Sequence, residues 1–361
     1  MDLFYVDPDI SKARTLHKSF YIDPVFFERS KELVFLPSWQ FLSDKTALAA
    51  SCEPVTVLPG YLDEPVIITQ GVGGTLNCVS NVCTHRGNIL VTEPCDRNNI
   101  RCRYHGRIFR LDGQFVSMPE FREVKDFPTE ADNLRQFSIE AIGNLLFTSL
   151  GNSSFSEYFG DMLARINFLP LNEFKLVPDL SQTFEVDAHW ALYCENYLEG
   201  FHIPFVHAGL NAVIDYGNYT TELFTKSNLQ LGIGKEGEPS FDLPEASVDF
   251  GKEVAAYYFF VFPNLMFNFY PWGLSVNIVE PVSVSKSRIR FLTYMWKPEL
   301  HDTGAGSGLH QVEMEDEEVV EAVQQGIRSR FYEHGRYSVT RETGTHHFHR
   351  LLSAAFSEKH T

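Results

Sequence analysis

The sequence predicts an α+β fold with two domains, and three observations support this prediction. The chain has 361 residues, which is long enough for two domains of roughly 100–200 residues each. Short β-like runs broken by glycine, proline and asparagine fill residues 46–150. Helical patterns and alternating strands then share residues 151–361. With 44% hydrophobic residues, the chain can bury a sizeable core.

The composition narrows the possible partners. The formal net charge of −17 argues against nucleic acid, because neutralising phosphates requires a basic surface. The sequence contains no run near the roughly 18–20 apolar residues of a membrane helix, and its start, MDLFYVDPDISKART, does not resemble a signal peptide. Six cysteines are few for a disulfide scaffold, so we expect a cytoplasmic protein. Four of them are expected to act as small hydrophobes or surface thiols: Cys52, Cys78, Cys95 and Cys194.

The first part of the chain is predicted as a helix followed by strands. Residues 1–45 form an N-terminal helical segment, in which DPVFFERSKELVFLPSWQFL starts at an Asp-Pro helix-entry signal. Over residues 46–150 the predicted strands lie in PVTVLPGYL, PVIITQG, TLNCVSNVC and FSIEAIGNLLFTSL.

The second part is predicted to mix helices and strands. SSFSEYFGDMLARI and WALYCENYLEGFH are predicted helices, the latter ended by Pro204. Strands are predicted in SQTFEVDAH, in AAYYFFVFPNLMFNFYPWGLSVNIVEPVS and in SRIRFLTYMWKP. The last long predicted element is the helix EMEDEEVVEAVQQGIRSRFYEHG, acidic at its start and arginine-rich near its end, as the helix dipole favours.

Two Cys/His pairs in the all-β domain predict a metal centre. Cys83 and His85 form the first pair, and Cys102 and His105 form the second. A structural zinc site is the alternative, since two cysteines and two histidines also suit tetrahedral zinc. Here each pair mixes one cysteine with one histidine and precedes a glycine-containing turn. This pattern is typical of a Rieske [2Fe–2S] cluster, in which two cysteines hold one iron and two histidines the other.

The loops around these pairs indicate an electron carrier of low potential. Rieske proteins of respiratory complexes usually add a cysteine to each loop and join the loops by a disulfide. This sequence has Asn88 and Tyr104 in those loops, so that disulfide cannot form. We therefore expect a low-potential cluster that supplies electrons to a second site.

The segment CENYLEGFHIPFVHAGL predicts the second site. Glu199 and His202 are three residues apart, on one face of the predicted helix, and His207 follows. Two imidazoles and one carboxylate make the facial triad of non-haem Fe(II) oxygenases, which leaves positions open for O₂.

The third ligand is predicted to be Asp316 on the C-terminal helix. Asp316 shares a helix face with Val320, Val323 and Ile327, and a carboxylate on an apolar stripe is costly to bury unless it is paired or bound to metal. The other acids of this helix are expected to lie in solvent: Glu313, Glu315, Glu317 and Glu318. The run His346, His347 and His349 has no accompanying carboxylate, and its role stays open.

Together, the two constellations resemble the α subunit of a Rieske non-haem iron oxygenase over essentially the whole chain. The resemblance implies a Rieske domain at 46–150 and a catalytic domain at 151–361, with an antiparallel, helix-grip-like sheet against which the N-terminal segment packs. It implies a [2Fe–2S] cluster, mononuclear Fe(II) and O₂ as co-substrate. It also implies a flavin/iron–sulfur reductase or a ferredoxin as partner, through which NAD(P)H supplies electrons. A homotrimer, or a multiple of trimers, is expected, with no nucleic-acid or membrane partner.

Specific residues take roles from this resemblance. Glu199 is expected to link the two centres by contacting His202 of its own subunit and His105 of the partner subunit, with help from Asn196. A glutamate at this position, together with ENYLEGFHIPFVH and YPWGLSVNIVEPVS, resembles the choline and carnitine monooxygenases of the quaternary-ammonium group. The chain departs from many relatives at Arg103 and Arg107, which we expect to meet an acidic surface or to tune the cluster.

A small quaternary ammonium substrate is therefore expected, to be hydroxylated, oxidised or N-demethylated. Such a cation has no N–H to donate and needs a desolvated aromatic site. The candidate lining residues are Tyr193, Tyr197, Tyr270 and Trp272. The alternatives are a dioxygenase acting on an aromatic acid or hydrocarbon, and an electron-transfer Rieske protein with an inactive second site.

Overall fold

The computed structural model describes residues 3–357. The chain divides into two compact units. Leu36–Ser153 form one unit, which we call the β unit. The other unit, which we call the α+β unit, consists of the residues up to Phe35 together with those from Ser154 onward. Residues 36–45, assigned to the N-terminal segment in the sequence analysis, thus lie in the β unit. Over residues 3–357, no helix is long and apolar enough to span a membrane.

The chain begins with two short helices, α1 at Ser19–Ile22 and α2 at Pro24–Ser30. Asp23 caps α2 by accepting a hydrogen bond from the backbone N–H of Val25 at 2.9 Å, and Pro24 occupies the first turn, where its missing N–H costs nothing. A π-helical turn at Lys31–Phe35 follows. The ring of Phe20 lies 5.6 Å from that of Phe356 near the C-terminus, so this segment packs within the α+β unit.

The β unit holds one six-stranded and one three-stranded antiparallel sheet. Its strands are β1 (Trp39–Asp44), β2 (Cys52–Val57), β3 (Glu64–Gln70), β4 (Leu76–Ser80), β5 (Ile100–Arg101), β6 (Ile108–Phe109), β7 (Phe115–Ser117), β8 (Gln136–Ile142) and β9 (Leu145–Ser149). The larger sheet has the order β1-β9-β8-β4-β3-β2, and the smaller one is β5-β6-β7. Ile67, Val79 and Phe109 belong to a buried core that also contains Cys83 and Cys102.

The remaining elements of the α+β unit follow in chain order. They are α3 (Phe155–Arg165), β10 (Lys175–Leu176), β11 (Gln182–Val186), α4 (Trp190–Tyr197), α5 (Ile203–Val206), α6 (Ala208–Val213), β12 (Thr220–Leu223), β13 (Ser227–Ile233), β14 (Val254–Val261), β15 (Leu265–Tyr270), β16 (Gly273–Ser283), β17 (Lys286–Met295), α7 (Leu309–Gly326) and α8 (Thr343–Ser357).

One antiparallel sheet organises this unit, in the order β10-β17-β16-β15-β14-β13-β12, with β11 also paired to β17. Every residue of β14 and β15 is buried, as expected for central strands with near-continuous apolar and aromatic sequences. Helix α4 packs against β16 on one side and α7 on another. The α+β class and the flanked antiparallel sheet predicted from the sequence are confirmed.

Three helical predictions were wrong in detail. The helix predicted to run to His202 ends at Tyr197, and Pro204 lies in the first turn of α5 instead of ending a helix. The acidic helix α7 starts four residues earlier than predicted and ends at Gly326. Helix α8 was missed altogether, because the buried positions of its first turns include His346 and His349, which read as polar in sequence.

Candidate metal centres and substrate cavity

The two Cys/His loops of the β unit share one backbone conformation. In the first loop the N–H of Cys83 donates to the carbonyl of Asn88 at 2.9 Å, and that of Gly87 to the carbonyl of Cys83 at 3.0 Å. In the second, Cys102 donates to the carbonyl of Arg107 at 2.8 Å, and Gly106 to that of Cys102 at 3.0 Å.

Both turns depend on glycine. The φ angles of Gly87 and Gly106 are +69° and +79°, a left-handed region that glycine adopts at no steric cost. The HRG and HGR motifs are therefore requirements of the backbone in these loops.

The side chains of the two loops converge. The Nδ1 atoms of His85 and His105 lie 3.2 Å apart, and the rings meet at a centroid distance of 4.7 Å. Cys83 and Cys102 are each 2% exposed, and Asn88 directs its Nδ2 toward Cys102 Sγ at 3.7 Å. Two buried thiols beside two facing imidazole nitrogens fit a [2Fe–2S] cluster with cysteine on one iron and histidine on the other.

Arg107 links these loops from inside the β unit. Its guanidinium is 2% exposed, donates to Thr84 Oγ1 at 2.9 Å in the first loop and pairs with Asp132 at 2.5 Å. Burial opposes ionisation of Asp132, but hydrogen bonds from Thr129 and Arg107 outweigh it and lower the pKa of Asp132. Of the two alternatives expected for Arg107, contact with an acidic surface is wrong because this side chain is buried, whereas tuning of the cluster stays a prediction; Arg103 is exposed.

In the α+β unit, His202, His207 and Asp316 form a compact group. One possible ligand atom from each lies within 4.8 Å of the others. Asp316 Oδ1 is 2.9 Å from His207 Nε2 and 3.5 Å from His202 Nε2. Two imidazole nitrogens and one carboxylate oxygen in this arrangement fit a mononuclear Fe(II) site.

Each member of this group is oriented by a further side chain. Glu199 Oε1 lies 2.7 Å from His202 Nδ1, and Glu315 Oε2 lies 2.8 Å from His207 Nδ1. Both Nε2 atoms are thereby directed toward Asp316, as is usual for histidine ligands whose second nitrogen is hydrogen-bonded. Asn196 Nδ2 donates to Asp316 Oδ1 at 2.8 Å. Burial alone would lower the pKa of His207, but its hydrogen bonds to Asp316 and Glu315 raise it.

Glu199 and His202 lie in a turn, not on one helical face as predicted. Glu199 Oε2 accepts hydrogen bonds from the backbone N–H groups of Phe201 and His202, which ends the helical pattern after α4. Gly200 permits the turn, since a Cβ there would lie 2.6 Å from Tyr219 Cε1. His202 is still brought next to Glu199, by side-chain hydrogen bonding instead of helical periodicity.

Helix α7 presents one face to a cavity beside the metal group. Leu309, Val312, Glu313 and Asp316 line the cavity at helical spacing. Of the three apolar neighbours predicted for Asp316, Val320 and Ile327 are buried, but Val323 is 45% exposed.

Glu313 and Glu315 were predicted to lie in solvent, and this prediction is wrong. Glu313 lines the cavity and accepts a hydrogen bond from the hydroxyl of Tyr193 at 2.7 Å, and Glu315 contacts His207. Burial raises the pKa of Glu313 to about 8, and the neighbouring charge of Asp316 adds to this rise. The helical spacing from Asp316 could have indicated Glu313, which lies one turn before it.

The cavity is small, and both aromatic and polar side chains line it. Its volume is about 90 Å³. Tyrosines form much of its wall: Tyr193, Tyr197, Tyr219, Tyr258 and Tyr270. Tyr219 and Tyr258 were missed in the sequence, because their approach to the site depends on the pairing of distant strands.

Trp272 is not part of the cavity wall. It is 1% exposed and stacks behind Tyr270, with ring centroids 5.2 Å apart and planes 15° apart. Tyr270 and Trp272 are two residues apart at the β15–β16 turn, so the sequence alone could not tell which one faces the cavity.

Comparisons with known proteins agree with this geometry. Residues 38–128 match the Rieske [2Fe-2S] domain, and residues 175–358 match the family described as ring hydroxylating alpha subunit (catalytic domain). Choline monooxygenase of Arabidopsis thaliana chloroplasts is 30% identical over 96% of this chain and 84% of that protein. The chain belongs to the Rieske ring-hydroxylating oxygenase family.

Two further relatives of this Rieske oxygenase are informative. The carnitine monooxygenase oxygenase subunit of Escherichia coli strain K12 is 29% identical over 96% of this chain and 95% of that one. The solved structure of the quaternary ammonium Rieske monooxygenase CntA has the same fold, with a TM-score of 0.74 at 24% identity and 97% coverage of each chain. The cofactors of this Rieske oxygenase are a [2Fe–2S] cluster and a mononuclear iron, and the two donor sets described above fit them.

Other residues singled out in the sequence have structural environments. His349 is buried and lies 3.0 Å from Glu195 Oε1 and 2.5 Å from the hydroxyl of Tyr337, while His346 Nε2 lies 2.7 Å from the carbonyl of Asp7. Burial lowers the pKa of His347 to about 4. The three imidazoles thus have separate surroundings. Within residues 3–357 all six cysteines are free thiols.

Proposed function

We propose that this Rieske oxygenase inserts one oxygen atom into a C–H bond beside the nitrogen or the oxygen of a small quaternary ammonium compound. The observation that carries this proposal is the cavity beside His202, His207 and Asp316, which joins a wall of tyrosines to a carboxylate, Glu313. Aromatic faces attract a cation that cannot donate hydrogen bonds, and a carboxylate adds a counter-charge. The choline and carnitine monooxygenases named among the relatives support the same substrate class.

We assign the cofactors to the two donor sets. Cys83, His85, Cys102 and His105 would hold the cluster, and His202, His207 and Asp316 would hold the iron. The cluster supplies electrons one at a time, and the iron site supplies the positions at which O₂ is reduced.

The protein residues have separate tasks around these groups. Glu199 and Glu315 orient the two imidazoles, and Asn196 fixes the carboxylate of Asp316 through a 2.8 Å hydrogen bond. The tyrosine wall excludes water and places a methyl or methylene group next to the iron ligands.

The overall reaction consumes one O₂, two electrons and two protons. One oxygen atom replaces the hydrogen of a C–H bond to give a hydroxyl group, and the other leaves as water. When the hydroxylated carbon is an N-methyl group, the C–N bond of the resulting carbinolamine breaks. The products are then formaldehyde, the demethylated tertiary amine and one proton.

Electrons are proposed to arrive from a separate reductase or ferredoxin that draws on NAD(P)H, and to pass between subunits of a homotrimer or a multiple of trimers. Inter-subunit electron transfer is described for CntA, which shares this fold. The exposed rings of Phe201 and Phe205, at 41% and 80%, flank Glu199 and His202, while Tyr104, 57% exposed, stacks on His105. Exposed aromatic groups beside both centres suit an interface that brings His105 of the partner subunit to Glu199.

The experiment that tests this function is a substrate panel with the partner reductase. We expect choline, carnitine or a betaine to stimulate NAD(P)H consumption and to yield a hydroxylated or demethylated product. Stimulation only by aromatic acids or hydrocarbons, with dihydrodiol products, would instead establish a ring dioxygenase. A protein that binds the cluster but retains no mononuclear iron after anaerobic reconstitution would be an electron carrier.

A further inference from the structure

The cavity contains one carboxylate that the metal group does not engage. Three acids line it: Glu199, Glu313 and Asp316. Glu199 contacts His202 and two backbone N–H groups, and Asp316 contacts both histidines. Among the described residues, the side-chain hydrogen bond seen for Glu313 is the one that it accepts from the hydroxyl of Tyr193. A carboxylate can accept several more hydrogen bonds.

The charge lining the cavity is one-sided. Among the described residues, no lysine or arginine lines it, so Glu313 has no cationic partner there. A charged carboxylate is costly in a low-dielectric site without a cation, which is why burial raises the pKa of Glu313, and a cationic ligand would stabilise its ionised form. A ligand with a carboxylate of its own would find no lysine or arginine in this wall and would add a further negative charge beside Glu199, Glu313 and Asp316.

Three uncharged amide side chains also line the cavity. Gln230 on β13, Asn268 on β15 and Asn277 on β16 line it, and they are 1%, 5% and 3% exposed. The Nε2 of Gln230 donates to the carbonyl of Tyr197 at 2.5 Å, which fixes the direction of the amide. Its Oε1 is buried and accepts no hydrogen bond from the described residues.

We propose that the cavity selects a quaternary amino alcohol over a quaternary amino acid. Glu313 is the counter-ion of the ammonium group, and the amides that line the cavity are the hydrogen-bond partners of the hydroxyl. This inference rests on the proposed function and narrows its substrate class. Glu313 lies one helical turn from Asp316, so an ammonium group beside it places its methyl groups toward the iron ligands.

Binding to the anaerobic holoenzyme tests the proposal without requiring turnover. The probes are choline, carnitine and the neutral carbon analogue of choline, in which a tert-butyl group replaces trimethylammonium. We expect the wild-type protein to bind choline at least about tenfold more tightly than either of the other two, the size of effect given by one charge-assisted contact. Equal affinity for choline and its neutral analogue, or tighter binding of carnitine, would overturn the proposal.

A pair of matched variants on α7 isolates the charge. Glu313→Gln keeps an acceptor for Tyr193 but removes the charge, and Glu318→Gln makes the same change at an exposed position of the same helix. Glu313→Gln should bring the affinity for choline down to about that for the neutral analogue, whereas Glu318→Gln should leave the ratio unchanged. An unchanged ratio in Glu313→Gln, with wild-type iron content, contradicts the role of Glu313.

Different results would contradict the substrate preference and the proposed function. If wild-type protein oxidises choline but the affinity ratio does not depend on Glu313, only the present inference is wrong. If no quaternary ammonium compound binds or is oxidised, the proposed function itself is wrong.

Discussion

The two proposed metal sites of this protein differ in how their residues come together. At the cluster site, 20 residues separate His85 from His105, and two loops of the same backbone conformation present the four side chains. At the iron site, 109 residues separate His207 from Asp316, and the ligands meet only because the segment after α4 packs against α7. The first site is defined by local turns, and the second by tertiary packing.

The groups that support the ligands differ in the same way. The cluster loops are held by backbone hydrogen bonds and by the buried Arg107 with Asp132. The iron site is held by side chains, with Glu199, Glu315 and Asn196 each bonded to one ligand. The two sites thus have different supporting groups. We therefore expect a substitution at one site to leave the other site unaffected.

The largest expected effect is at the iron site. Replacing Asp316 with Asn removes the one charged ligand, and we expect iron affinity to fall by more than about 100-fold, beyond the loss typical of supporting residues. Metal analysis should find the two irons of the cluster and almost none at the second site, with the cluster spectrum unchanged. Loss of the cluster in this variant would show that the two sites are not independent.

The next largest effect is expected in the β unit, on replacement of Arg107. Arg107→Met removes a buried guanidinium and leaves Asp132 without its partner, so we expect a loss of about 3 kcal/mol in stability and faster bleaching of the cluster on heating. Arg103→Met, at the exposed neighbouring position, is the matched control and should bleach at the wild-type rate. Equal bleaching of both variants would mean that Arg107 does not support the loops.

The smallest of these effects lies at the proposed connection between the regions. Glu199→Gln keeps the size of the side chain but removes the charge that faces His202, and multiple-turnover activity should fall by about 10- to 100-fold. Iron and cluster contents should stay unchanged, and Glu318→Gln serves as the control. Turnover at the wild-type rate would exclude Glu199 as the bridge.

The structure brings together the residues proposed as metal ligands, but several of the elements that carry them differ from those predicted. Cys-x-His and Cys-x-x-His pairs are local, and their glycine turns leave few alternative conformations. Glu199 and His202 were placed next to each other for the wrong reason, since a side-chain-stabilised turn replaces the predicted helix. Arg107, singled out because many relatives carry another residue there, was expected to meet an acidic surface or to tune the cluster, but its ion pair with Asp132 allows it to be buried.

What the sequence determined by itself was the pair of metal-binding patterns, the fold class and the order of the two parts of the chain. These depend on short-range spacing and hydrophobic periodicity. Only the tertiary structure decided which acids of α7 face the iron ligands and which tyrosines form the cavity wall. Those choices depend on the rotation of α7 against α4 and on the register of β13–β16, where a shift of one residue would turn each side chain to the other face of the sheet.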